Sequence, residues 1–219
     1  MPAPVIPPPT TSTSNWVSAN AARCAARVAA EKEASTRLFA KRPDRGQPPS
    51  AWFTWHAGIL RPGVRVLDLA SGVGRHALAA AERGAEVVAV DEDAESLELL
   101  QREAERRHLS VKCLHMDLHT SQIAPAAFDV VMVFNYLDRA RFPDLRRAVR
   151  PGGYLLAETF LTTQREQGWG PQSDEHLLAP GELVRLVEPF EVILAREVIE
   201  MIDGRPAALA SVFARNPGE

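Results

Sequence analysis

Between Val64 and Asp91 the chain sets out one unit that restricts its fold more than any other stretch. Val64-Arg-Val-Leu-Asp-Leu-Ala-Ser-Gly-Val-Gly-Arg-His-Ala77 is followed by Val87-Val-Ala-Val-Asp91. An apolar run of strand length, a glycine turn, a helical stretch and a second apolar run ending in an acid is how an open α/β sheet builds a nucleoside-binding crevice.

The alternation continues, which argues for parallel βα units. Strands are expected at 64–69, 86–90, about 110–114, 128–134 and 154–160. Helices are expected at about 74–83, ended by Gly84 as a C-cap, and at about 93–107, with Leu97, Leu100 and Ala104 inward. Pro143 starts a helix that turns Leu145 and Val149 inward, and Pro151-Gly-Gly153 turns the chain into the fifth strand. Residues 161–179 read as irregular, and Pro180 opens a short helix to about Val187. Segments 190–201 and 206–215 flank Ile202-Asp-Gly-Arg205, a hairpin signal. The expected fold is α/β: a Rossmann-like, doubly wound, mostly parallel seven-stranded sheet with a C-terminal antiparallel hairpin.

Ahead of this unit, residues 1–14 are mostly Pro, Ser and Thr and read as a disordered tail. Apolar residues from Val17 to Leu38 fall on one helical face, residues 43–50 form a linker, and a short helix carries Trp52, Trp55 and Leu60. Residues 15–60 are thus expected to form an N-terminal helical lid on a domain at 61–219. Two tryptophans three apart either cover a ligand or pack the helix on the sheet. The net charge of −3 excludes a global basic field for nucleic acid. Cys24 and Cys113 lie in no metal or redox spacing and read as reduced thiols. Without an apolar run of roughly 18–20 residues or a secretory leader, a cytoplasmic protein with no membrane partner is expected.

Four strand ends bear on chemistry. At the first, Asp68 can anchor the glycine loop or accept from a ligand ammonium, and Gly72 and Gly74 let the backbone approach a ligand. Gly72-x-Gly74-x-x-Ala77 with Asp91 also fits a dinucleotide fingerprint, but an acid just before the loop would repel a pyrophosphate. At the second, Asp91 can accept from both ribose hydroxyls, with Glu92 beside it. At the third, Asp117 can accept from an adenine amino group while Met116 or Leu118 packs on the ring. His115-x-Asp117-x-His119 has no further ligand at a suitable spacing, so no metal is expected. At the fourth, Asn135-Tyr136-Leu137 lies where chemistry would occur.

These residues, in this order, resemble the class I S-adenosylmethionine-dependent methyltransferases over roughly residues 60–215. Gly is usual in that family where this chain has Ala70. The resemblance implies S-adenosyl-L-methionine as cofactor and S-adenosyl-L-homocysteine as product. It implies a cofactor set of Asp68, Ala70, Gly72, Gly74, Asp91, Glu92, Asp117, Leu118 and Asn135. A narrower likeness is to the tellurite-resistance type, carried by the 68–77 loop, Asn135-Tyr-Leu-Asp-Arg139, the 151–160 run and Leu177-Leu-Ala-Pro-Gly-Glu-Leu183.

Methyl transfer from a sulfonium needs orientation and a dry site, and a base only where the acceptor arrives protonated. The acceptor is expected to be a small molecule, such as a chalcogen oxyanion or a thiol. Catalytic candidates are Tyr136; Arg139, to hold an oxyanion; Glu158, to steady the sulfonium or bind backbone amides; and His176, as a base or pocket wall. Trp169 is a candidate cover for the crevice. Competing readings are a methyltransferase for RNA or protein, suggested by Arg146, Arg147 and Arg150, a nicotinamide oxidoreductase, and a silent adenosyl-binding protein. The 15–41 face allows a homodimer.

Overall fold

The computed structural model describes residues 47–218. The 1–14 tail, the 15–41 helix and Cys24 lie outside the described residues.

Seven strands form one sheet in the order β3-β2-β1-β4-β5-β7-β6. They are β1 (Arg65–Leu69), β2 (Glu86–Asp91), β3 (Val111–His115), β4 (Phe128–Phe134), β5 (Val149–Phe160), β6 (Glu191–Ile202) and β7 (Arg205–Arg215). β1 to β5 are mutually parallel; β7 runs antiparallel to both β5 and β6. The expected fold and strand count are therefore borne out. The hairpin turn has positive φ at both central residues, 49° at Asp203 and 74° at Gly204, the mirror-image turn that matches strand twist.

The helices are α1 (Ala51–His56), α2 (Arg75–Ala81), α3 (Ala94–Arg106), α4 (Phe142–Ala148) and α5 (Glu182–Val187). One face of the sheet packs on α1, α2 and α3 through Trp52, Phe53, Ala77, Leu97 and Leu100. The other face packs on α4 and α5 through Phe142, Leu145, Leu183 and Val187. Residues 116–127, the crossover from β3 to β4, contain no helix, so the second face of β1, β2 and β3 is covered by loop.

One boundary differs from expectation. Pro151-Gly-Gly153 does not precede β5 but lies within it, where the register with β4 shifts between Phe128 and Val130. A Cβ on Gly153 would lie 2.7 Å from the Asp129 carbonyl oxygen. A close backbone approach inside a strand requires glycine there. α2 ends at Ala81 with Glu82 as its C-cap, earlier than expected, and Gly84 follows with φ of 88°, donating its N–H to the Ala81 carbonyl at 2.9 Å. Among the described residues no helix is long and apolar enough to cross a membrane.

Candidate active site

The carboxyl ends of β1 and β2 hold the glycine loop. Gly72 N donates to Asp91 Oδ2 at 2.7 Å and Asp93 N donates to Asp91 Oδ1 at 2.8 Å. Asp91 therefore fastens the loop to the start of α3, and each oxygen keeps lone-pair capacity for a further donor. Ala70 has φ of 58°, a left-handed conformation that costs a non-glycine residue roughly 1–2 kcal/mol. Gly72 and Gly74 also have positive φ, for different reasons. A Cβ on Gly72 would meet nothing within 4 Å, so this loop position faces open space. A Cβ on Gly74 would lie 2.2 Å from Leu100 Cδ1, so this glycine admits the side chain of α3.

Asp68 is 2% exposed, and its Oδ2 is buried without a hydrogen-bond partner. Burial, and then the nearby Asp91 charge, push its carboxyl up to about 7. Ser71 Oγ is likewise buried and unpartnered. An orphaned carboxylate oxygen beside a second acid fits a cationic ammonium group and disfavours a pyrophosphate.

At the end of β3, Asp117 is exposed, and its Oδ1 accepts from His119 N at 2.8 Å and Thr120 N at 3.2 Å. These bonds hold its carboxyl below the usual range. Leu118 buries its side chain in the core, so of the two candidates for packing on a ring Met116 is the less buried. Glu92 is exposed, and its carbonyl contacts the His115 ring at 3.1 Å. His119 Nδ1 lies 2.7 Å from Asp138 Oδ2. Among the described residues no three His, Cys, Asp or Glu side chains converge as metal ligands.

Beyond β4, Asn135 is exposed with φ of 56° and donates its N–H to the Glu158 carbonyl at 2.8 Å. Tyr136 buries its hydroxyl without a partner, and burial, then Asp138 and Glu92, push the phenol well above its ordinary value. Arg139 needs correction. Its Nε and Nη2 bond both Glu182 oxygens at 2.5 and 3.0 Å, and its remaining donors go to the carbonyls of Asp174, Glu175 and Leu177. With these donors engaged by protein acceptors, Arg139 clamps the 174–177 turn to α5 instead of offering them to an oxyanion.

Of the two roles expected of Glu158, binding backbone amides is not seen. It is buried, and its Oε2 accepts from Ser211 Oγ at 2.7 Å and Arg196 Nη2 at 3.1 Å, side chains and not backbone amides. Burial raises its carboxyl and these two partners oppose that. Trp169 packs edge-on against Phe160 and donates to the Pro206 carbonyl at 2.7 Å, in a small apolar cluster at the start of β7. His176 is half-buried in the 3-10 turn Asp174–His176.

Two groups escaped the sequence reading. His76 accepts from Ser50 N at 3.2 Å and stacks on Phe134 at 3.9 Å, joining the segment before α1 to the end of β4. Burial holds it neutral, well below its ordinary value. Its position inside the loop motif was the available signal. Arg196 lies over Trp52 at 5.0 Å and Trp55 at 4.6 Å while bonding Glu158, and its Nη1 pairs with Glu200 at 3.0 Å. A single cation in a strand that carries Glu191, Glu197 and Glu200 was its signal. Trp52 is buried and packs the helix on the sheet, donating to the Val212 carbonyl; Trp55 is exposed.

Residues 66–153 match the family model described as a methyltransferase domain. An uncharacterized methyltransferase of Mycobacterium tuberculosis is 31% identical over 164 residues, covering 71% of this chain and 65% of that protein. The chain thus spans about two thirds of the length of that curated relative. The chain is similar in fold to TehB from Haemophilus influenzae, with a TM-score of 0.69 at 20% identity, covering 82% of this chain and 66% of TehB. It is also similar to the [4+2]-cyclase SpnF, with a TM-score of 0.63 at 17% identity, covering 74% of this chain and 77% of SpnF. Asp68, Gly72 and Asp91 would suit the charged and hydroxyl groups of S-adenosylmethionine.

Proposed function

We propose that this chain transfers a methyl group from S-adenosylmethionine to a small-molecule acceptor that arrives already ionised, a thiolate or a chalcogen oxyanion such as tellurite or selenite. The observation that supports cofactor use is the buried Asp68 with its unpartnered Oδ2, set beside Asp91 and the open face of Gly72. The sulfonium supplies an activated methyl group, and the protein's part is to bind, orient and exclude water. Around the end of β4, the Tyr136 phenol stays protonated, Arg139 is fully engaged and Glu158 is paired with Arg196. This arrangement favours an acceptor that needs no proton removed.

The second reading, an RNA or protein substrate, draws less support. Arg146 bonds the Leu186 carbonyl, Arg147 pairs with Asp144 and Arg150 with Asp129, so each of the three already has a partner within the molecule.

Calorimetric titration with S-adenosylmethionine, S-adenosylhomocysteine and NADH, followed by labelled-methyl transfer to tellurite, selenite and small thiols, tests the proposal. Micromolar binding of the two adenosyl compounds alone, with turnover on one of these acceptors, is expected. NADH binding, or adenosyl binding without turnover on any ionised acceptor, overturns it. His176→Ala is expected to retain turnover to within about threefold, because removing a side chain that moves no proton costs little. A loss of a hundredfold or more would make His176 a base.

A further inference from the structure

Arg139, Arg141, Arg165 and Arg196 are each paired with an acid. Half-buried Arg75, directly after Gly74 of the loop, pairs with no acid among the described residues; its Nη1 reaches only the neutral amide oxygen of Gln47, at 3.4 Å. A bond of that length is weak, and a guanidinium has five N–H groups to place. Gln47 turns its Nε2 to Asp203 Oδ2, in the turn between β6 and β7, at 2.5 Å. That turn lies at the carboxyl end of β5, because Phe160 pairs with Leu209 in the antiparallel register. The sheet runs β1-β4-β5-β7-β6, so the link from the start of α2, after β1, to this turn passes the ends of β4 and β5. His76, the next residue, stacks on Phe134 at the end of β4 and accepts from Ser50 N, which sets the link on the α1 side of the sheet.

We infer, on the methyl-transfer reading above, that Arg75 binds the acceptor, taking two oxygens of a singly charged oxyanion in place of the Gln47 amide oxygen. The planar guanidinium offers parallel N–H groups that match a pair of oxyanion oxygens and not the single atom of a thiolate. The acceptor class is thereby narrowed to one that carries an oxyanion, as a chalcogen oxyanion does. Exchange favours the ion, since a charged acceptor makes a stronger bond to a guanidinium than a neutral amide makes. Asp203, on the far side of Gln47, limits the charge, because it repels a second negative charge. Direction separates the acceptor from the cofactor's own carboxylate. Arg75 is the weakest of the influences on the Asp68 carboxyl, and its Nη1 is turned to Gln47 and the β6–β7 turn. It therefore faces the acceptor, away from the amino-acid head that Asp68 would hold.

The full-length protein, loaded with S-adenosylhomocysteine, is titrated calorimetrically with selenite, and with 2-mercaptoethanol as the comparison without an oxyanion. One saturable selenite site is expected, with 2-mercaptoethanol about tenfold weaker or more. Arg75→Gln is expected to stay folded by circular dichroism, to weaken selenite by about tenfold or more, and to change S-adenosylhomocysteine affinity by less than about threefold. Arg75→Lys, which keeps the charge and loses the fork, is expected to fall between the two. Asp203→Asn removes the repulsion and is expected to tighten selenite by about twofold. Opposite signs at Arg75 and Asp203 are not the mark of a merely loosened structure. Failure of the unaltered protein to take up S-adenosylhomocysteine overturns the methyl-transfer reading, and this assignment with it. With that uptake intact, absence of saturable selenite binding, or selenite affinity unchanged in Arg75→Gln, overturns the assignment alone. So does an Arg75→Gln variant that loses S-adenosylhomocysteine but keeps 5′-methylthioadenosine, which lacks the amino-acid head, since Arg75 would then hold the cofactor's carboxylate.

Discussion

Asp91 serves the loop before it serves any ligand, because its two oxygens already hold Gly72 N and Asp93 N. Asp91→Ala is expected to weaken S-adenosylhomocysteine binding by about 1–3 kcal/mol, the size of lost charge-assisted hydrogen bonds plus a loosened loop. Unchanged affinity by calorimetry removes Asp91 from the site. Asp68 gives a pH signature. Its carboxyl is raised from 3.8 to about 7 on folding. The folded state therefore holds the proton more tightly than the unfolded chain between those values. The contribution to stability is full below pH 3.8 and lost as pH rises through about 7. Asp68→Asn is expected to flatten this loss, seen as a smaller difference in denaturation midpoint between pH 5 and pH 8; a parallel pair of pH profiles refutes it. Both acids were legible in the sequence because strand ends and their terminal residues are local. The engagement of Arg139 was not, because Glu182 lies 43 residues further on and only the fold brings them together.

Among the elements, the turn at 174–176 and the start of α5 are held together by the Arg139 clamp. Arg139→Met is expected to lower stability by about 1–2 kcal/mol, the value of charged hydrogen bonds discounted for partial exposure. Limited proteolysis should then cut first within 170–181, and an unchanged cleavage pattern counts against the clamp. Strands and helices were readable from their periods, since burial on one or both faces writes itself into the residue pattern. The placement of Pro151-Gly-Gly153 inside β5 was not readable. Pro and Gly mark a turn and a strand irregularity alike, and the deciding contact with Asp129 is a tertiary one.

For the molecule as a whole, the sheet ends in β6, a 12-residue edge strand. On it Ile199 and Met201 are 63% and 65% exposed, and Ile193 and Leu194 are 47% exposed. A long edge with exposed apolar side chains is a template for pairing between chains. Concentration-dependent self-association is expected by light scattering, and Ile199→Lys with Met201→Lys should abolish it; a monomer at all concentrations rejects this. The sheet itself was legible, but the state of its edge depends on which side chains the neighbouring strand leaves uncovered. At the opposite edge the helix-free crossover has another consequence. A loop tied down chiefly by Asp117, Arg141 and Arg147 can lift without unravelling a helix. Its amides should exchange with solvent deuterium long before those of β1 and β4, making this corner the place where the native protein breathes.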